Sequence, residues 1–199
     1  MIAIVDYGMG NLASVQKALN FLNLPNIITS DHSIIRSSVA IILPGVGSFA
    51  TAMKNLADKG LNELLTEEVI VKKKKFLGIC LGMQLIATMG NEPHACKGLS
   101  WIEGEVVKLD HKEISIPHLG WNDITFRNNT EFKSLPDNNF YFIHSYHFKP
   151  KNETDIIATV DYGEQIVAGI QKENILAFQF HPEKSQAAGL SLLKSYFTY

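Results

Sequence analysis

The chain has 199 residues, 46% of them hydrophobic and 19% charged, with a net charge of −2 and an isoelectric point near 6.4. That length and apolar content suit one domain with a full core, and the near-neutral balance gives no global case for nucleic acid or a membrane surface. Two cysteines with no ligand-like spacing argue against a disulfide scaffold and a structural zinc site.

The N-terminus, Met1-Ile2-Ala3-Ile4-Val5-Asp6, reads as a first strand and not as a secretory leader. No apolar run approaches the roughly 18 residues of a membrane span. A reducing cytoplasm is therefore expected, where the acceptor triplets Asn128-Asn129-Thr130 and Asn152-Glu153-Thr154 stay idle. The first strand closes in Asp6-Tyr7-Gly8-Met9-Gly10-Asn11. Leu12, Val15, Ala18, Leu19 and Leu22 then share one helical face, up to Asn23-Leu24-Pro25. Gly8-x-Gly10 opens like a dinucleotide fingerprint, but the third glycine position holds Ala13, so a tight strand-to-helix turn is the preferred reading.

Ile27 to Thr29 is a second strand, and Asp31 or Ser33 is placed to cap a short helix. Val39 to Leu43 is uniformly apolar, as a central parallel strand should be, and ends in Pro44-Gly45-Val46-Gly47-Ser48-Phe49. Helices are expected through Met53, Leu56 and Ala57, and from Leu61 to Val71. Lys72 to Lys75 read as a solvated helix C-terminus, where cations suit the dipole, in preference to an anion patch.

Phe76 to Ile79 reads as a buried strand, and Leu81 to about Met89 as a helix. Between them stands Cys80, with Gly78 two residues before and Gly82 two after. This is the small-x-nucleophile-x-small pattern of a nucleophile elbow, with Cys in place of Ser. A residue at such a turn is forced into an awkward backbone conformation, so its neighbours must be small. Its sulfur lies at a helix N-terminus, where unpaired N–H groups favour a thiolate. The Leu81 N–H is placed to donate to an oxyanion. On this stretch alone, a buried structural cysteine is the competing reading.

Strands alternating with helices imply right-handed βαβ units. After Gly90 the texture changes to short β stretches with turns between them, from Gly98-Leu99-Ser100-Trp101 through Ile156-Ile157-Ala158-Thr159. Ile166–Ile170 and Ile175–Phe180 form a last hairpin, and a helix runs from about Gln186 to Phe197. The expected fold is one α/β domain over residues 1–199. It is a three-layer, open, mostly parallel sheet flanked by helices, with an antiparallel β excursion in the second half.

A thiolate needs a base, and the base needs an orienting group. His181 is delivered to a strand end by Phe178-Gln179-Phe180, Pro182 stops the strand there, and Glu183 is two residues on. Sites in open α/β sheets form at the carboxyl ends of strands. Cys80, His181 and Pro44–Ser48 all lie at such ends. Alone, His181 reads as a capped strand-end histidine; its coincidence with Cys80 makes it the base. His144-x-x-His147 has metal-pair spacing, but no third ligand lies nearby in sequence, so neither metal nor cofactor is expected.

Pro44-Gly45-Val46-Gly47, Gly78-Ile79-Cys80-Leu81-Gly82-Met83-Gln84 and Phe180-His181-Pro182-Glu183 together resemble the class I (triad) glutamine amidotransferase family. Asp6-Tyr7-Gly8-Met9-Gly10-Asn11-Leu12, Pro117-His118-Leu119-Gly120-Trp121-Asn122, Tyr141-Phe142-Ile143-His144-Ser145-Tyr146 and His181-Pro182-Glu183-Lys184-Ser185 narrow the likeness. They resemble the glutaminase subunits of imidazole glycerol phosphate synthase. The resemblance implies glutamine hydrolysis by Cys80, His181 and Glu183, with Val46 and Leu81 as oxyanion donors. It implies substrate contacts at Gly45, Gly47, Gln84, His144, Ser145 and Tyr146. It also implies a heterodimer with a (β/α)₈ cyclase partner that takes up the ammonia, with Asn11 and Trp121 at the interface. His147, where an aromatic Tyr is expected, and the segment Asn91 to Lys97 depart from the pattern. They leave open a paralogous glutaminase feeding a different synthase, such as a sugar-aminating one. Intact Cys80, His181 and Glu183 argue against a non-enzymatic binding module.

Overall fold

A computed structural model describes residues 1–110, 114–127, 130, 132 and 135–198. The acceptor triplet at Asn128 and Asn129 lies outside them. Strands β1 (Ile2–Val5), β2 (Asn26–Thr29), β3 (Ala40–Gly45), β4 (Lys75–Cys80), β8 (His118–Phe126), β9 (Asn139–His144), β11 (Ile156–Tyr162), β12 (Glu164–Lys172) and β13 (Ile175–Phe178) build the main sheet. Its order is β2-β1-β3-β4-β13-β12-β11-β8-β9. Pairing is parallel from β2 to β13 and antiparallel from β13 to β9, so the sheet is mixed. The excursion also forms a second sheet, β10-β7-β5-β6, from β5 (Ala87–Gly90), β6 (Cys96–Lys97), β7 (Ile102–Lys108) and β10 (Tyr146–Pro150).

The central strands β1, β3, β4 and β13 of the main sheet are apolar on both faces because each face is covered there. One face packs on α1 (Leu12–Phe21) and the C-terminal helix, numbered α6 here (Gln186–Thr198). The other packs on α2 (His32–Ser37), α3 (Phe49–Asp58), α4 (Leu61–Thr66) and the small sheet, through Ile35, Phe49, Leu56, Leu65, Trp101 and Phe148. Asp31 caps α2, its Oδ1 accepting from the N–H groups of Ser33 and Ile34 at 2.7 and 3.1 Å. Gly10, at φ +112°, lies against the Pro44 carbonyl, where an added Cβ would come within 3.3 Å. The Gly8–Gly10 segment is thus a tight turn against β3.

Two local expectations are corrected. The helix after Cys80 is only α5 (Leu81–Gln84), and the chain re-enters a strand at Ala87. A continuing helix would need the carbonyls of Leu85, Ile86, Ala87 and Thr88 as acceptors. Those carbonyls instead take the N–H groups of Leu99, Trp101, Ser100 and Gly98. Lys72 to Lys75 are a solvated helix end only in part: Lys72 and Lys73 are exposed just past the helical turn Glu67–Val71, but the run is also paired. Buried Glu68 accepts from Lys72 and Lys74 at 2.7 and 2.6 Å, Lys74 also reaches the Ile35 and Arg36 carbonyls, and Lys75 reaches the Tyr196 carbonyl. Burial alone would raise the Glu68 pKa; the hydrogen bonds and charges of Lys72 and Lys74 override it and hold it low. His147, one of the two departures from the family pattern, is 1% exposed on β10, with Nε2 3.8 Å from Glu164.

Among the described residues, no helix is long and apolar enough to cross a membrane.

Candidate active site

Cys80 ends β4 at φ +53° and ψ −108°, a backbone that L residues rarely adopt. Such strain costs of order 1–3 kcal/mol and persists only where the surroundings over-determine it. Here the surroundings are glycine-dependent. A Cβ on Gly78 would sit 2.8 Å from the Gly82 carbonyl oxygen, and one on Gly82 would overlap the Leu43 carbonyl oxygen. A Cβ on Gly45 would lie 2.8 Å from Leu81 Cβ and against Tyr7 Oη. These three glycines let β3, β4 and α5 close on one another. Register pairing of Gly45 with Cys80 then sets the Pro44–Gly47 strand end beside the nucleophile. Burial first, and the Cys80 charge second, push the Tyr7 phenol pKa up, so Tyr7 stays a donor to the Pro44 carbonyl at 2.9 Å.

His181 leaves β13 through Gln179, and its N–H donates to the Tyr141 carbonyl at 2.9 Å. Pro182 opens a 3₁₀ turn, Pro182–Lys184, that swings Glu183 back under the ring. His181 Nδ1 donates to Glu183 Oε1 at 2.8 Å, with both side chains 2% exposed or less. His181 Nε2 is buried and makes no hydrogen bond of ordinary geometry. Burial alone would lower the His181 pKa. The Cys80 thiolate charge and contact, then the Glu183 hydrogen bond and charge, overcome it and push the ring up to about 10. Cysteine, imidazole and carboxylate therefore form one electrostatic unit.

Cys80 opens into a cavity of about 390 Å³. Val46, Gly47, Leu81, Gln84, His144, Ser145 and Tyr146 line it, so the expected oxyanion and substrate residues converge there. Gly45 lies behind the wall, where its lack of a side chain matters. The His144 imidazole is engaged by His118 and the Tyr146 carbonyl, both at 3.0 Å, so its contribution to a ligand is backbone. Asn11 accepts from the Ser14 N–H at 3.4 Å and caps α1. Trp121 is 44% exposed on the outer face of β8, edge-on to Tyr141.

Two residues escape motif reasoning. Among the described residues, Glu92 is the one carboxylate in the cavity wall. Its Oε2 accepts from the Phe49 N–H at 3.3 Å, and burial raises its pKa. A glutamine α-ammonium needs such a partner. The signal was a lone acid within Asn91–Lys97, with no pattern around it. Gln179 joins the amide network: its Nε2 meets Cys80 Sγ at 3.7 Å, and its Oε1 accepts from Gln84 at 3.1 Å.

The family model described as "Glutamine amidotransferase class-I" matches residues 3–197. The chain is 46% identical over 199 residues to imidazole glycerol phosphate synthase subunit HisH 1 of Campylobacter jejuni strain RM1221, covering 98% of each. It is 43% identical over 196 residues to subunit HisH of Aquifex aeolicus strain VF5, covering 97% of this chain and 94% of that one. A crystal structure of a glutamine amidotransferase superposes with a TM-score of 0.78 at 17% identity over the full length of both chains, a likeness of fold. With the elbow, the buried His181–Glu183 pair and the cavity in place, the chain belongs to the class I glutamine amidotransferase family, in its group of imidazole glycerol phosphate synthase HisH subunits.

Proposed function

We propose that this chain is the glutaminase subunit of an imidazole glycerol phosphate synthase, acting in the cytoplasm as a single amidotransferase domain. The observation that carries the reading is the buried imidazole held between Cys80 and Glu183. The Cys80 thiolate attacks the side-chain amide carbon of L-glutamine, and the carbonyl electrons move onto oxygen. N–H groups at Val46 and Leu81 receive that charge; losing one such donor typically costs about 10²–10³ in rate. Imidazolium His181 gives its proton to the departing nitrogen, releasing ammonia and a γ-glutamyl thioester. Neutral His181 then takes a proton from water, hydroxide adds to the thioester, and the thiolate leaves with glutamate formed. Glu183 holds one tautomer and balances the charge throughout. Glu92 receives the substrate ammonium.

Ammonia free in water is protonated and lost, so a glutaminase without an acceptor site needs a docked synthase. The outer face of β8 and β9 suits that contact: Leu119, Trp121 and Ile143 are exposed there, and exposed Val46 adjoins the site. The expected partner is the (β/α)₈ cyclase, with Asn11 near its rim. The two glycines around Val46 allow that peptide to turn when the partner is loaded. The test mixes the purified chain with the cyclase and its nucleotide ligand and follows glutamate release. Release that the cyclase stimulates and Cys80→Ala abolishes is expected. Stimulation only by a sugar-aminating synthase would overturn the partner; no release with any synthase would overturn the activity.

A further inference from the structure

The inner face of β8 and β9 carries a hydrogen-bond chain with one direction. Asn122 Nδ2 meets His118 Nε2 at 3.1 Å, His118 Nδ1 meets His144 Nε2 at 3.0 Å, and His144 Nδ1 meets the Tyr146 carbonyl at 3.0 Å. A carbonyl only accepts, so His144 Nδ1 carries the proton. A neutral imidazole has one N–H, so His144 Nε2 accepts and His118 Nδ1 donates. His118 Nε2 then accepts from the Asn122 amide. Every member is satisfied in this polarity, and the reverse polarity would face Tyr146 with a lone pair.

Neutrality follows from the surroundings. Burial pushes His118 down to about 4, and burial together with neighbouring His118 pushes His144 down to about 3. His118 is also clamped between rings, with centroids 4.5 Å from Phe142 and 3.9 Å from Tyr162.

The chain continues beyond Tyr146. The same carbonyl accepts from Gln84 Nε2 at 2.8 Å; Gln84 Nε2 donates to Gln179 Oε1, and Gln179 Nε2 to the Cys80 sulfur. Both amide protons of Gln84 are thus used, which fixes how its oxygen faces the cavity. We propose that His118 is a positioning residue: through a single tautomer of His144 it fixes the Tyr146 carbonyl and the Gln84 amide against the substrate, and it ties them to strand β8. The opposite side of that strand carries exposed Leu119 and Trp121, so a partner seated there acts on the pocket through Asn122 and His118. The inference rests on the glutaminase reading of the cavity.

His118→Phe tests it, because the change keeps the ring stacking and removes the donor to His144 Nε2. Glutamate release is measured with the cyclase bound, and histidine tautomers by ¹⁵N NMR on the ¹⁵N-labelled chain. Losing one satisfied hydrogen bond is worth about a tenfold change. A KM for glutamine raised about tenfold is expected, with kcat within about threefold and His144 shifted from its Nδ1–H form. His118→Asn restores a donor toward His144 and should lie nearer wild type. An unchanged KM in His118→Phe, or a raised KM with the His144 tautomer unmoved, overturns the relay. If the wild-type complex releases no glutamate, the glutaminase reading fails instead, and the tautomer shift alone decides the relay.

Discussion

Gly78→Ala is the most direct challenge to the elbow. The new Cβ would stand 2.8 Å from the Gly82 carbonyl oxygen and 3.0 Å from Gly82 C and Met83 N, where 3.4 Å begins ordinary contact. The obstacle is backbone, so β4 and the first turn of α5 must part by about 0.6 Å. Overpacking of this kind costs about 1–3 kcal/mol. At about 2–4 °C per kcal/mol for a chain of this size, the melting temperature should fall by about 2–12 °C. The same shift moves Cys80 against His181 and the Val46 peptide. A displacement of 1 Å can cost about 10²-fold, so kcat/KM should drop about tenfold or more. Gly82→Ala should be worse on both counts, because its Cβ lands on the Leu43 carbonyl. Calorimetry and glutaminase kinetics with the cyclase bound measure the two effects. Wild-type melting and kcat/KM in Gly78→Ala would refute the view that close backbone approach shapes the nucleophile.

Glu92→Gln removes the charge proposed to meet the substrate ammonium. KM for glutamine should rise about 10–100-fold with kcat much less affected, and a larger loss in kcat than in KM would place Glu92 elsewhere in the reaction. His147 is buried with neither ring nitrogen hydrogen-bonded, and burial, then Lys149, pushes its pKa down to about 4. A depressed histidine gives stability that is complete above pH 6.5 and lost as pH falls toward 4. His147→Phe should therefore stabilise the chain by about 1–2 kcal/mol at neutral pH, with a larger gain at pH 4.5; urea unfolding at both values checks it, and an equal or smaller gain in acid contradicts the reasoning. His181 should stay doubly protonated at pH 8 in ¹⁵N spectra and lose that proton at lower pH in Cys80→Ala, because the raising charge is gone. A His181 titration identical in the two proteins would break the link.

Much of the site was legible in the residues because its parts are local. Gly78-x-Cys80-x-Gly82 states a steric need within five positions, and Phe180-His181-Pro182-Glu183 holds a ring, a strand stop and a carboxylate within four. Apolar runs such as Ile2–Val5 and Ala40–Leu43 announced covered central strands for the same reason. Tertiary structure alone decided the matters that depend on distant competitors. Leu85–Thr88 lost their helix because the N–H groups of residues 98–101 took its acceptors. Lys72, Lys74 and Lys75 became paired because Glu68 and the Ile35, Arg36 and Tyr196 carbonyls come to them. Glu92 became a cavity acid, and Asn122, His118 and His144 a one-way relay, only when folding brought these strands and loops together. A linear pattern records what a residue needs from its neighbours in the chain; which remote donor or acceptor reaches it first is settled by packing.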